Sequence, residues 1–318
     1  METTRRQFLA AAGMAGAALA AGCSTTGPER TLRDITIIDT HPHFYDPTRP
    51  GGVPWPPVSD TFLSRPTYPK DYRNQPVRRE VTGVVVTEAS DRVEDNQWIL
   101  DLAAEDNFIV GLCGNLPLGT PEFTDHLKRF AENKLWTGMR HRKRDLAADL
   151  QNQAFLRDVR LLAENDKQLD MLGRGPLLPL VDTLARQVPD LRIVIDHFAN
   201  PKIDGKNVDA NWEANIRQVA KNENVHMKFS GLVEGTGRKD GGAPRDPDFY
   251  RPWIDIVWDS FGEDRLIYGS NWPVSNRFAS LATVQAIVYD YFSEKGNAPL
   301  NKVFSRNARR VYQWVDRG

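Results

Sequence analysis

From position 35 onward the chain alternates short apolar runs with longer amphipathic ones. The short runs at 35–39, 81–87, 109–114, 137–140, 169–172, 192–196, 225–229 and 266–268 are rich in Val, Ile, Leu and Phe and predict buried strands. Between them, the amphipathic segments 94–105, 121–133, 153–165, 176–187, 210–221, 247–260 and 281–293 predict helices. Pro121, Pro176 and Pro247 fit first helical turns, where a missing N–H costs little. Eight strands alternating with helices predict an α/β fold, a parallel (β/α)8 barrel, with a doubly wound sheet as the runner-up.

Two stretches depart from this rhythm. The connection 47–76 is rich in proline (Pro54, Pro56, Pro57, Pro66 and Pro69 among them) and carries the aromatics Trp55, Phe62, Tyr68 and Tyr72. A long irregular loop in a compact domain is often functional; these side chains either cap a ligand or pack against the barrel, and packing is the expectation for most of them. The other is the N-terminus. Thr3-Thr4-Arg5-Arg6-Gln7-Phe8-Leu9 has the twin-arginine form, and a run of small residues from Ala10 to Gly22 follows, so 1–23 reads as a signal peptide for folded export to the periplasm. Leu19-Ala20-Ala21-Gly22-Cys23 also resembles a lipoprotein cleavage box, making Cys23 a candidate lipid anchor to the membrane. Residues 24–33 read as a tether and 34–318 as one domain. A formal charge of -1 in 318 residues gives no reason to expect nucleic acid or an anionic membrane as partner; a small molecule is expected. With Cys23 in the leader, Cys113 is a single core thiol.

In a barrel of this kind, reactive groups stand at the C-terminal ends of the strands. Strand one ends in Asp39-Thr40-His41-Pro42-His43. Residues two apart on a strand point the same way, so His41 and His43 can form a catalytic pair or half of a metal site; two satisfied turn histidines are the alternative. The other ends supply Glu88; Arg140, His141, Arg142 and Arg144; Asp196 and His197; Lys228, Ser230 and Glu234; and Asn271. Strand alternation turns His197 inward and Asp196 away. Lys228 faces the lumen and there needs a carboxylate partner.

Several separated segments resemble the amidohydrolase-related enzymes, in the branch of sugar-lactone and pyrone-dicarboxylate lactonases. They are Ile38-Asp39-Thr40-His41-Pro42-His43-Phe44-Tyr45-Asp46-Pro47, Gly138-Met139-Arg140-His141, the run from Pro189 to His197, Lys228-Phe229-Ser230-Gly231-Leu232, Gly269-Ser270-Asn271-Trp272-Pro273-Val274 and Asn307-Ala308-Arg309-Arg310-Val311-Tyr312. The resemblance implies an amidohydrolase-like TIM barrel in which His41, His43 and His197 bind or polarise a substrate carbonyl. It further implies that Arg140, and more loosely Arg142, hold a substrate carboxylate.

Two positions depart from the pattern. Asn271 stands where an aspartate that activates water is expected; an amide cannot take that proton, though it can orient a water. The metal-dependent relatives usually also carry a strand-five histidine, and Leu169-Asp170-Met171-Leu172-Gly173 has none. A catalytic zinc wants about three protein ligands, so no tightly bound metal is expected; zinc on His41, His43 and a third group such as Glu88 or His197 is the alternative. Glu88, desolvated at the barrel mouth, and His197 are the candidate bases, with a salt-bridge carboxylate as the other reading of Glu88.

The chemistry expected is therefore hydrolysis of a lactone, from a sugar acid or an aromatic breakdown product, with an acidic or polyhydroxylated substrate. A metal-dependent decarboxylase or hydrolase of the same superfamily, and a binding protein that keeps the pocket without turnover, are the alternatives.

Overall fold

The computed structural model describes residues 35–142 and 145–318. The leader, Cys23, the tether and Arg144 lie outside the described residues.

Eight parallel strands follow one another around the molecule in chain order: β1 (Ile38–Asp39), β2 (Gly83–Thr87), β3 (Ile109–Gly114), β4 (Trp136–His141), β5 (Gln168–Met171), β6 (Ile193–Ile195), β7 (Val225–Phe229) and β8 (Leu266–Tyr268). A doubly wound sheet would reverse its strand order midway; here each strand pairs with its successor. The remaining seam is bridged at Thr40, whose N–H and Oγ1 both donate to the Tyr268 carbonyl, at 3.2 and 2.7 Å. Asp39 reinforces the seam by accepting from Ser270 N at 2.8 Å, His41 N at 3.0 Å and the Tyr72 hydroxyl at 2.7 Å. His41 thus leaves the sheet at its most heavily tied point.

The predicted strands and helices are all present, with shifted ends. The helix at Glu94–Glu105 spans its predicted residues, and those at Phe123–Ala131, Gln153–Glu164, Ala210–Val219 and Leu281–Lys295 differ by a few. At 176–187 and 247–260 the proline initiates a 3-10 turn, Gly175–Leu177 and Pro247–Phe249, before the α-helices Leu178–Gln187 and Arg251–Phe261. Strand one shrinks to two residues, Ile38–Asp39; just before it, the Ile37 carbonyl accepts from Thr82 N at 2.9 Å.

The C-terminal helices Asn297–Asn301 and Asn307–Tyr312 were not predicted. Ala308, Val311, Tyr312 and Trp314 pack with Ile38, Val85, Val110, Cys113, Val194 and Ile267, so this segment closes the barrel interior and shields Cys113, which is core as expected. A second, larger apolar layer lies between sheet and helices.

The loop 47–76 divides as expected. Tyr72 is buried on Asp39, Tyr68 donates to Asp46 Oδ2 at 2.6 Å, and Phe62 lies against Arg277. Trp55 alone of these four reaches the histidines, its ring 5.4 Å from that of His43.

Candidate active site

Six strand ends bring their side chains to one mouth. The rings of His41 and His43 lie 5.1 Å apart, and those of His41 and His197 4.4 Å apart. Close backbone approach makes room for them: a Cβ on Gly269 would stand 2.8 Å from His41 Cβ, and one on Gly231 would stand 2.5 Å from His197 Cβ. Gly231 also has φ +72°, which glycine adopts without penalty.

The segment after β6 is the least ordinary piece of backbone. His197, Phe198, Ala199 and Asn200 all have φ between 48° and 56°. Left-handed residues other than glycine cost about 1–2 kcal/mol each. The turn is held by Trp212 Nε1 donating to Phe198 O, Asn200 Nδ2 donating to Gly173 O, and Asn200 N donating to His197 O, each at 2.7 Å. One expectation is corrected here. Val194 packs in the barrel interior, so strand alternation turns Asp196 inward, not away; it is fully buried, 3.1 Å from Lys228 Nζ and 3.4 Å from His41 Nδ1. His197 stands beside His41 because the left-handed turn breaks the alternation after Asp196.

Lys228 stands in the lumen as expected, with two carboxylate partners. Its Nζ donates to Asp170 Oδ2 at 2.5 Å and faces Asp196 at 3.1 Å. Tyr312, from the C-terminal plug, donates to the same Asp170 oxygen at 2.8 Å. Burial raises Asp170 to about 6 against the pull of Lys228. At Asp196 burial is outweighed by Lys228 and then His41, and its carboxyl stays well below the usual range. Asp170 is legible in the sequence only as a carboxylate inside an apolar strand, Leu169-Asp170-Met171-Leu172.

All three imidazoles are held neutral at pH 7, chiefly by burial: His41 well below its ordinary value, His43 at about 3 and His197 at about 4. Positive charge at the mouth therefore comes from Arg140 and Lys228. Arg140 donates through Nε to Glu88 Oε1 at 2.9 Å and through Nη2 to Glu88 O at 2.8 Å. Its Nη1 lies 3.4 Å from His41 Nε2. Glu88 is thus the salt-bridge carboxylate of the two readings; burial raises its pKa, with Arg140 and Arg142 opposing. Arg142, 28% exposed, lies 3.5 Å from the same carboxylate. His141 faces elsewhere, onto Asp149 and Phe155.

Asn271 sits beyond β8 in a left-handed conformation, φ 57°, which asparagine tolerates. Its Oδ1 is 3.3 Å from His43 Nε2, and its Nδ2 donates to Glu234 Oε1 at 2.8 Å. All seven expected site residues, His41, His43, Glu88, Arg140, Arg142, His197 and Asn271, thus lie in one connected cluster. Glu234, given no role from sequence, joins it through Asn271.

His41, Asp196 and His197 could each offer one metal-ligand atom, all within 4.8 Å of one another. Two cations already face these lone pairs. Lys228 Nζ is 3.1 Å from both His41 Nδ1 and Asp196, and Arg140 Nη1 is 3.4 Å from His41 Nε2 and 3.9 Å from Asp196 Oδ2. A divalent ion there would lie against both charges, so with the side chains so placed the cluster does not fit one, and no step below runs through a metal.

Fold and site define a parallel barrel hydrolase with its polar groups at the C-terminal mouth. The chain belongs to the amidohydrolase family, whose model matches residues 38–314. It is similar to an L-fucono-1,5-lactonase of Burkholderia ambifaria, 32% identical over 75% of this chain and 80% of that protein. An L-fucono-1,5-lactonase of Burkholderia multivorans is 28% identical over 79% and 86%. A crystallised Burkholderia multivorans amidohydrolase, seen with HEPES bound and in another crystal form with zinc bound, superposes with a TM-score of 0.78 at 25% identity, covering 88% of this chain and 100% of that one.

Proposed function

We propose that this hydrolase opens a lactone of a sugar acid. The observation that carries the reading is the set of three neutral imidazoles and one guanidinium gathered at a single mouth. Opening a lactone needs a polarised carbonyl, an attacking water and donors for the tetrahedral oxyanion. Arg140 can supply the charge: Glu88 takes Nε and Nη2, which aims Nη1 toward the histidines. His197 Nδ1 lies 2.7 Å from Ser230 Oγ. With that hydroxyl donating, the ring proton sits on Nε2 and is available to the carbonyl oxygen. Trp55, packed against His43 from the proline-rich loop, offers an apolar face to the sugar ring. The curated relatives that act on fucono-lactone favour a sugar acid over an aromatic product as the source of the ring.

Arg140 has one nitrogen free of Glu88, so a second cation for a substrate carboxylate would come from the half-buried Arg142. This favours a polyhydroxylated lactone over a dicarboxylate. A pH-indicator screen of 1,4- and 1,5-aldonolactones tests the assignment. Turnover of at least one is expected; no acid release from any of them, by enzyme that binds them in calorimetry, would leave a binding protein. The twin-arginine leader supports work in the periplasm, with Cys23 as anchor, and fractionation of cells making the full chain tests that. Uncleaved protein confined to the cytoplasm would overturn it.

A further inference from the structure

His43 and Asn271 meet in a way that ordinary hydrogen bonding does not satisfy. His43 Nδ1 lies 2.9 Å from the Thr87 carbonyl, and a carbonyl can only accept, so the ring proton is on Nδ1. Nε2 of the neutral ring then carries a lone pair. Asn271 Oδ1, 3.3 Å away, is also an acceptor, because the amide NH2 is turned to Glu234 Oε1. Two acceptors facing each other call for a donor beside them, and a water is the donor that hydrolysis requires. Glu234 stands behind this pair. Its Oε2 is buried and has no hydrogen-bond partner among the described residues. The helix Leu232–Gly235, which carries it, begins at Gly231, the residue packed against His197.

We propose that Glu234 is the general base of this enzyme, taking a proton from a water held by His43 Nε2 and Asn271 Oδ1. One O–H of that water points to the two acceptors and the other to Glu234 Oε2. As the water oxygen bonds to the lactone carbonyl carbon, its proton passes to Glu234 and the carbonyl becomes an oxyanion on Arg140 and His197. When the oxyanion collapses, the ring C–O bond breaks. The departing ring oxygen takes the proton back from Glu234, leaving a hydroxy acid and a carboxylate ready for the next cycle. The assignment rests on the lactone reading above.

The surroundings suit a base working near neutral pH. Burial raises Glu234 to about 7, with its own backbone N–H and Asn271 opposing. The other titratable groups around it are the Tyr250 hydroxyl, which donates to Pro244 O, Arg238, which lies over Phe249, and His43 beyond the amide. Glu88 is held by Arg140, and His197 at about 4 is a weak base, so neither competes at pH 7.

The test is Glu234→Gln, assayed with a sugar lactone that the wild type hydrolyses. Loss of the base is expected to lower kcat by about 100-fold or more, with KM changed only a few-fold. The wild-type kcat/KM should rise with pH through an acid limb near 7, because the base must be deprotonated, and the variant should lose that limb. Asn271→Asp added to Glu234→Gln should recover at least tenfold of the loss, by placing a carboxylate beside His43. If Glu234→Gln unfolds, Glu234→Asp carries the test: it keeps the carboxylate, so the limb must persist, and a flat profile overturns the proposal. Retention of more than a tenth of kcat, or a limb that survives in Glu234→Gln, overturns it while the lactone reading stands. A wild type inactive on every lactone overturns both together.

Discussion

Replacing Lys228 by methionine removes the one cation that lies between two fully buried carboxylates, Asp170 at 2.5 Å and Asp196 at 3.1 Å. Methionine roughly preserves the volume, so the change isolates the charge. Breaking a buried pair by deleting one partner costs about 3–5 kcal/mol, because the remaining charge is desolvated and unpaired. For a domain of nearly three hundred residues each kcal/mol is worth roughly 2 °C, so Tm at pH 8 should fall by about 6–10 °C. The deficit should depend on pH with a defined sign. Asp170 already sits at about 6 with Lys228 present, and removing the cation raises it further. A carboxyl with a raised folded-state pKa costs stability progressively as pH rises from its unfolded value to the folded one, and the full cost is present above the folded one; wild type has reached that plateau above about pH 6, while the variant keeps losing stability. The loss should therefore be largest at pH 8 and shrink toward pH 5, where Asp170 takes up a proton. Thermal melts of wild type and variant between pH 5 and 8 read this directly. Adding Asp170→Asn should recover part of the loss, since the two residues are in contact and their effects are not additive. A Tm within 2 °C of wild type at pH 8, or a deficit independent of pH, would refute the picture of Lys228 as the obligatory counter-ion of the lumen.

His197→Ala should abolish lactone turnover; retention of more than about a tenth of kcat/KM, a loss under ~1.4 kcal/mol, would remove His197 from the mechanism. Trp55→Ala should raise KM by about tenfold with little change in kcat, as loss of a contact made equally in ground and transition states does, and a fall in kcat alone would contradict the stacking role. Dialysis against a chelator should leave kcat within about twofold, because Arg140 and Lys228 already face the lone pairs that a dication would use; loss of activity that zinc restores would show that these side chains move to admit a metal.

Much of this protein is legible in the chain itself. Period and residue type determine the eight strands and the helices between them, because burial on both faces selects continuous apolar strands and burial on one face selects amphipathic helices. Once the barrel is recognised, strand ends nominate His41, His43, Arg140, His197 and Asn271, since side chains at that rim share one mouth. Three matters were decided by the tertiary structure alone. The place of His197 beside His41 depends on the left-handed run from His197 to Asn200, whose strain is met by Trp212 and by the backbone of Gly173, contacts distant in sequence. The choice between base and salt bridge at Glu88 depends on Arg140, fifty-two residues away, reaching it at 2.9 Å. The standing of Glu234 depends on a hydrogen bond to Asn271, thirty-seven residues on. A local pattern can say that a residue stands at a rim. Which charge it meets there, and hence its protonation state and chemistry, is set by neighbours that the fold alone brings together.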